Sequence, residues 1–193
     1  MPRNPSAEIA RRVAASPRWR RIGVEATALV LETSYAAIAR ELEPALRDGR
    51  FDAVLMIGVA GRAKRVRVET RALNRARTLS PDVVGRYPEP RLGPGPALRA
   101  SRVAATRIRP LLRRAGVACD RSQDAGGYLC NAAYFAALAQ PVPVLFVHIP
   151  KPARPTRLRP RGGKRRRLGP QERLVAAFVE VGARLLAQAR RPA

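Results

Sequence analysis

Two nearly continuous apolar runs, "FDAVLMIGV" (51–59) and "VPVLFVHIP" (142–150), constrain this chain more than any other feature. Both fall well short of the roughly 20 apolar residues that a membrane-crossing helix needs. Both are also too uniformly apolar for strands with one face in water. They read as strands buried on both faces, which requires helices packed above and below the sheet. A third run, "GVEATALVL" (23–31), reads the same way.

The segments between these runs supply the helices. "TSYAAIARELEPALRDG" (33–49) reads as a helix, with Thr33 or Ser34 placed to cap its start. "ALRASRVAATRIRPLLRRAG" (97–116) reads as a helix bent or split at Pro110 and closed by Gly116. "QERLVAAFVEVGARLLAQARR" (171–191) closes the chain as an amphipathic helix, with Leu174, Phe178, Val181 and Leu185 on one face. "KRVRVETRAL" (64–73) alternates apolar and charged residues, as a half-exposed strand does, and "VACDRS" (117–122) reads as a short strand. The Pro- and Gly-rich stretch 80–96 reads as a loop. Strands alternating with helices predict an α/β fold: a three-layer sandwich with a twisted, mostly parallel sheet flanked by helices. A length of 193 residues suits one domain, 1–193, with a sizeable core.

The formal net charge of +24 raises a nucleic-acid partner first, because clustered cations displace counterions from phosphate backbones. The composition argues against it. Aromatic residues make up 5% of the chain, no stacking motif is present, and the cations are spread over every element. Nearly all are arginine, as a GC-rich genome writes on ordinary surfaces. Residues 151–170, "KPARPTRLRPRGGKRRRLGP", contain no acid and read as a solvated basic loop within the domain. The N-terminus has no apolar signal region, and two cysteines without an export signal point to the reducing cytoplasm.

Chemistry concentrates near one of those cysteines. In "DAGGYLCNAAYFAALAQ" (124–140), glycines allow a tight turn from a strand into a helix that begins at Cys130. A thiol in a first helical turn meets unpaired N–H groups and the positive end of the macrodipole, and both favour a thiolate. The same N–H groups suit an oxyanion. His148, the only histidine, ends the strand at "FVHIP". Ligands gather at the carboxyl ends of strands in α/β sheets, and a Cys–His pair is the minimum unit for thiolate attack and leaving-group protonation. A third group should orient the imidazole. Asp124, Glu69 and Asp82 are the available acids, and spacing does not choose among them. Cys119 precedes no helix and carries no motif.

At this point the residues carry a resemblance. "SQDAGGYLCNAAYF" resembles the nucleophile motif of the pyroglutamyl-peptidase I family, S-x-x-A-G-x-Y/F-x-C-N, at Ser122, Ala125, Gly126, Tyr128, Cys130 and Asn131. "IGVAGRAKRVRVETRALN" resembles its second signature at Gly58, Ala60, Val66, Glu69, Ala72 and Asn74, and "FVHIP" its histidine motif at His148 and Pro150. "NPS" (4–6) and "GPGPALRAS" (93–101) match more weakly. The resemblance implies a cysteine exopeptidase that removes N-terminal pyroglutamate from peptides without a cofactor or metal, as a homodimer or homotetramer. Cys130 would be the nucleophile, His148 the general base and then acid, and Glu69 the carboxylate behind the imidazole. Tyr128, Leu129, Thr33 and Asn4 would fall at the substrate pocket.

The chain departs from the pattern in several places. The family's first strand and G-F-x-P-F-G-G loop precede its N-P-S segment, whereas here Asn4 arrives almost at once. The expectation is a start site placed too late, with a shortened relative as the alternative. Val59 stands where many members place a glutamine, and Arg77 is a loose equivalent of an arginine that precedes an I-P-D-N segment. These departures keep a divergent relative with an altered pocket as the alternative function, and a basic nucleic-acid-binding α/β protein as the alternative class.

Overall fold

The computed structural model describes residues 4–48, 51–152 and 168–190. Strands Val54–Ala60 (β1), Val66–Glu69 (β2), Cys119–Ser122 (β5) and Val144–Pro150 (β6) form a sheet in the order β1–β6–β2–β5. A separate antiparallel pair joins Arg71–Leu73 (β3) to Leu98–Ala100 (β4). In the main sheet β1 runs parallel to β6 and β2 parallel to β5, while β2 and β6 are antiparallel. The expected α/β fold with a mostly parallel sheet is therefore the observed one.

Strand periodicity divides the core into two layers. Along β6, Leu145, Val147 and Ile149 join a cluster with Val66 and Val68 of β2. That cluster also takes side chains from helices Pro5–Ala14 (α1), Ala105–Arg114 (α5) and Pro170–Ala189 (α7). Val144 and Phe146 point to the opposite face, as successive strand residues must. There they meet helix Leu129–Ala137 (α6) and a helical run made of Tyr35–Ala37 (α3), a π turn at Ile38–Leu42 and Glu43–Arg47 (α4). The stripe expected on the last helix is observed: Phe178, Val181 and Leu185 are buried, and Leu174 packs against the same cluster. A short helix, Pro17–Arg21 (α2), seats buried Trp19 against Gly182 of α7.

Local chemistry explains the helix starts. Asn4 caps α1 by accepting from the Ser6 amide, with Pro5 at the first helical position. Ser34, one of the two expected caps, accepts from the Ala37 amide. Gly116 closes α5 at a φ of 73°, and α5 runs through Pro110 as one element.

Three expectations need correction. Residues 23–31 form no strand: the segment is mostly exposed and has no ladder partner among the described residues. Apolar composition makes a strand only where backbone groups find a neighbouring edge. The half-exposed strand over 64–73 is two strands in different sheets, separated at Thr70, and β2 is deeply buried apart from Arg67. The helix expected from residue 97 begins at Ala105. Residues 98–100 pair with β3 instead, and Ser101 turns the chain by donating to the Val144 carbonyl while accepting from the Val103 amide. Alanine, leucine and arginine favour a helix locally, and pairing with β3 overrides that preference. Most of the basic stretch 151–170 lies outside the described residues. Its last two residues serve α7, Gly169 as the cap and Pro170 as the first helical position.

Candidate active site

Strand parity assembles the site. His148 follows Val144 and Phe146 on the α6 side of β6, and Glu69 follows Arg67 on the same side of β2. Across β2 and β6, Glu69 is in register with Phe146 rather than with His148, so its carboxylate reaches the imidazole along a diagonal. The contact closes at 2.9 Å between Glu69 Oε1 and His148 Nδ1. Glu69 is 0% exposed and His148 6%. A carboxylate this deep requires a cationic or hydrogen-bonding partner, and the imidazole is that partner. Oε2 of Glu69 has no hydrogen-bond partner among the described residues.

Cys130 is the imidazole's second hydrogen-bonding neighbour. It is the second residue of α6, whose N-terminus carries no side-chain cap among the described residues, so the first-turn N–H groups face the thiol's surroundings. Burial would lower the His148 pKa, but hydrogen bonding and charge from Cys130 and Glu69 outweigh burial and push it up to about 9. The imidazole therefore holds its proton through neutral pH, between a thiol and a carboxylate. Of the three acids that sequence spacing could not separate, Glu69 is the one in contact. Asp124 accepts from the Gly126 amide, and Asp82 binds three backbone amides.

Neighbouring residues fix these groups in place. Phe146 sits beside His148 with ring centroids 4.8 Å apart, and Tyr134 packs on Phe146 at 5.4 Å. The Tyr134 hydroxyl, pushed up to about 12 by burial, donates to the Glu69 carbonyl at 3.0 Å. Gly58, in register with His148 across β1 and β6, leaves room that a side chain would fill. A Cβ there would lie 2.7 Å from Phe146 Cζ and 3.0 Å from Cys130 Sγ. Asn131, buried directly after the thiol, accepts from the Leu73 amide and donates to the Leu73 and Arg75 carbonyls. Motif spacing marked Gly58 and Asn131, and period-2 reading of β6 puts Phe146 on the histidine's face. Nothing local marked Tyr134.

The expected pocket residues divide into two groups. Tyr128 and Leu129 adjoin Cys130, and Leu129 is buried against the α6-side cluster. The Tyr128 hydroxyl donates to the Pro81 carbonyl, and its ring meets Tyr35 edge-on at 6.1 Å. Asp82 accepts from the Tyr35 amide, and the Val83 amide donates to the Thr33 carbonyl. Thr33 and Tyr128 thus belong to one wall, joined by residues 81–83. The Asn4 side chain caps α1. Val59 packs into the opposite core cluster, away from Gly58's face. Among the described residues no three His, Cys, Asp or Glu side chains converge as metal ligands.

An α/β frame that lines up a thiol, an imidazole and a buried carboxylate has the layout of a thiol hydrolase. The profile of the pyroglutamyl peptidase family matches residues 2–156, and the chain belongs to that family of cysteine peptidases. The pyrrolidone-carboxylate peptidase of Gloeobacter violaceus is 35% identical over 155 residues, covering 76% of this chain and 74% of the relative. That of Streptomyces coelicolor is 32% identical over 155 residues, with coverages of 76% and 70%. Among solved structures, the pyrrolidone carboxyl peptidase of Fervidobacterium islandicum AW-1 superposes with a TM-score of 0.69 at 29% identity, over 78% of this chain and 74% of that one. A mutant pyrrolidone carboxyl peptidase from Pyrococcus furiosus, at 21% identity, shares the fold over 97% of this chain and 92% of its own, with a TM-score of 0.76.

Proposed function

We propose that the chain hydrolyses the amide bond after an N-terminal pyroglutamyl residue by a Cys130–His148–Glu69 mechanism in the reducing cytoplasm. The observation that carries this reading is the imidazole of His148, held between a buried carboxylate at 2.9 Å and the thiol at the start of α6. Family membership supplies the substrate class.

In this reading Cys130 attacks as a thiolate, its proton resting on His148. Sγ bonds to the pyroglutamyl carbonyl carbon, and the resulting oxyanion lies against the uncapped N–H groups of α6. His148 then gives its proton to the departing amine as the C–N bond breaks, which leaves a thioester on Cys130. Water, deprotonated by the now neutral imidazole, attacks the thioester and releases pyroglutamate with the thiol restored. Glu69 stabilises the imidazolium and fixes the tautomer that faces sulfur. The lactam is small and uncharged, so a wall of Tyr128, Leu129 and Thr33 with few polar partners suits it.

Release of a fluorophore from pyroglutamyl, alanyl and prolyl amides tests the proposal. The expected result is cleavage of the pyroglutamyl amide alone. A folded protein that cleaves none of them, or the alanyl amide equally well, contradicts it.

A further inference from the structure

The segment after the Glu69 strand is strapped across the start of the nucleophile helix. Asn131, next to Cys130, donates to the Arg75 carbonyl at 3.0 Å. The Arg77 amide donates to the Gly127 carbonyl, three residues before Cys130, at 2.7 Å. Two arginines are thereby pinned by their backbones to residues flanking the thiol. Beside them opens a cavity of about 240 Å³ lined by Arg75, Ala76, Arg77, Asp124, Gly126 and Gly127. Its glycine side is bare backbone: Gly126 has a φ of 88°, and a Cβ on Gly127 would meet Arg77 Cβ at 3.3 Å. Arg75 also lines a second cavity of about 390 Å³ together with Leu73 and Leu98.

The charges here are unbalanced. Arg75 and Arg77 make no ion pair among the described residues, where Arg18–Glu180 and Arg65–Asp120 do. The one acid lining the first cavity, Asp124, accepts from the Gly126 amide. Arg91, which lines the second cavity, is committed to the carbonyls of Gly93 and Gly95. Two exposed guanidinium groups beside a concave backbone surface fit a carboxylate, which arginine binds in a planar, bidentate manner.

Given the function proposed above, on which this step rests, the pyroglutamyl ring is neutral and its nitrogen is blocked. Charge recognition must therefore come from the departing peptide. We infer that the Arg75–Arg77 cavity is a subsite for a carboxylate of the leaving peptide, so that the chain selects acidic pyroglutamyl peptides. The carboxylate is either an acidic side chain after the scissile bond or the free C-terminus of a short peptide. The net charge of +24 adds long-range attraction of the same sign.

The test compares kcat/KM for pyroglutamyl-alanine amide, pyroglutamyl-glutamate amide, pyroglutamyl-alanine free acid and pyroglutamyl-lysine amide. At least one acidic peptide is expected to exceed the neutral amide by about 5–10-fold at low salt, with the lysine peptide lowest and the spread narrowing as ionic strength rises. Preference for the glutamate amide assigns the side-chain carboxylate; preference for the free acid assigns the terminal one. Arg75→Gln is expected to cut that preference roughly 3–5-fold while the neutral amide is turned over as before. Arg113→Gln removes the same charge from α5, on the opposite face of the sheet, and is expected to leave the preference intact. Equal rates for all four peptides, or an equal effect of both substitutions, overturns the subsite. Binding of the same peptides to Cys130→Ala reads the subsite without chemistry. If no peptide is cleaved yet the acidic ones bind Cys130→Ala more tightly, the hydrolysis fails and the subsite stands; equal binding defeats the subsite.

Discussion

The two faces of the central sheet carry one cysteine each, and their surroundings differ in kind. Cys119 lies in β5 within the hydrophobic cluster built from α1, α5 and α7. It is 2% exposed, and its thiol donates to the Arg109 carbonyl at 3.7 Å. Cys130 stands on the other face at the start of α6, beside the His148 imidazole, which buried Glu69 contacts in turn. The same side chain is packing on one face and chemistry on the other. What separates them is the access each thiol has to a helix terminus and a titrating partner.

The sharpest way to break this contrast is to remove each thiol in turn. Cys130→Ala is expected to lower hydrolysis of a pyroglutamyl amide by roughly 10⁴-fold or more with the thermal midpoint nearly unchanged. Retained activity would make the comparison meaningless. Glu69→Gln keeps the shape but removes the charge behind the imidazole. It is expected to reduce kcat about 10²–10⁴-fold and to move the alkaline limb of the pH–rate profile to lower pH. The same variant sharpens a stability argument. His148 is raised in the fold, from 6.5 to about 9, so its contribution is complete below about pH 6.5 and is lost as pH rises through about 9. Denaturation midpoints across that window should fall in the wild type and flatten in Glu69→Gln.

Gly58→Ala probes the space between the groups. The added methyl must displace Phe146 or the sulfur, so a kcat loss of about 10–100-fold with a destabilisation of about 1–3 kcal/mol is expected. The smallest effect belongs to the other face. Cys119→Ala leaves a small void in a closed core and should cost about 1 kcal/mol in urea denaturation, with kcat/KM within about twofold of wild type.

Local patterning made some of the fold and site legible and was silent on the rest. The β1 and β6 runs stood out because both their faces are apolar, and the glycines before Cys130 announced the turn into α6. Glu69 did not stand out from Asp82 and Asp124, because its selection depends on the antiparallel register of β2 against β6, a pairing between residues 79 apart in sequence. The run at 23–31 misled because strand formation is decided by a neighbouring edge rather than by hydropathy. The β4 segment misled because its leucine, arginine and alanine favour a helix, and the pairing with β3 that overrides them is not encoded locally. Tyr134 supports the Glu69 backbone from the far end of α6's first turns, a contact no spacing encodes.

The central physical claim is that one imidazole is charged at neutral pH because it lies between a thiol and a buried carboxylate. His148 is the only histidine, so its ring protons can be followed by NMR without assignment. Titration should give a midpoint near 9 in the wild type, lowered in both Glu69→Gln and Cys130→Ala. A midpoint near 6.5 that neither substitution moves would contradict it.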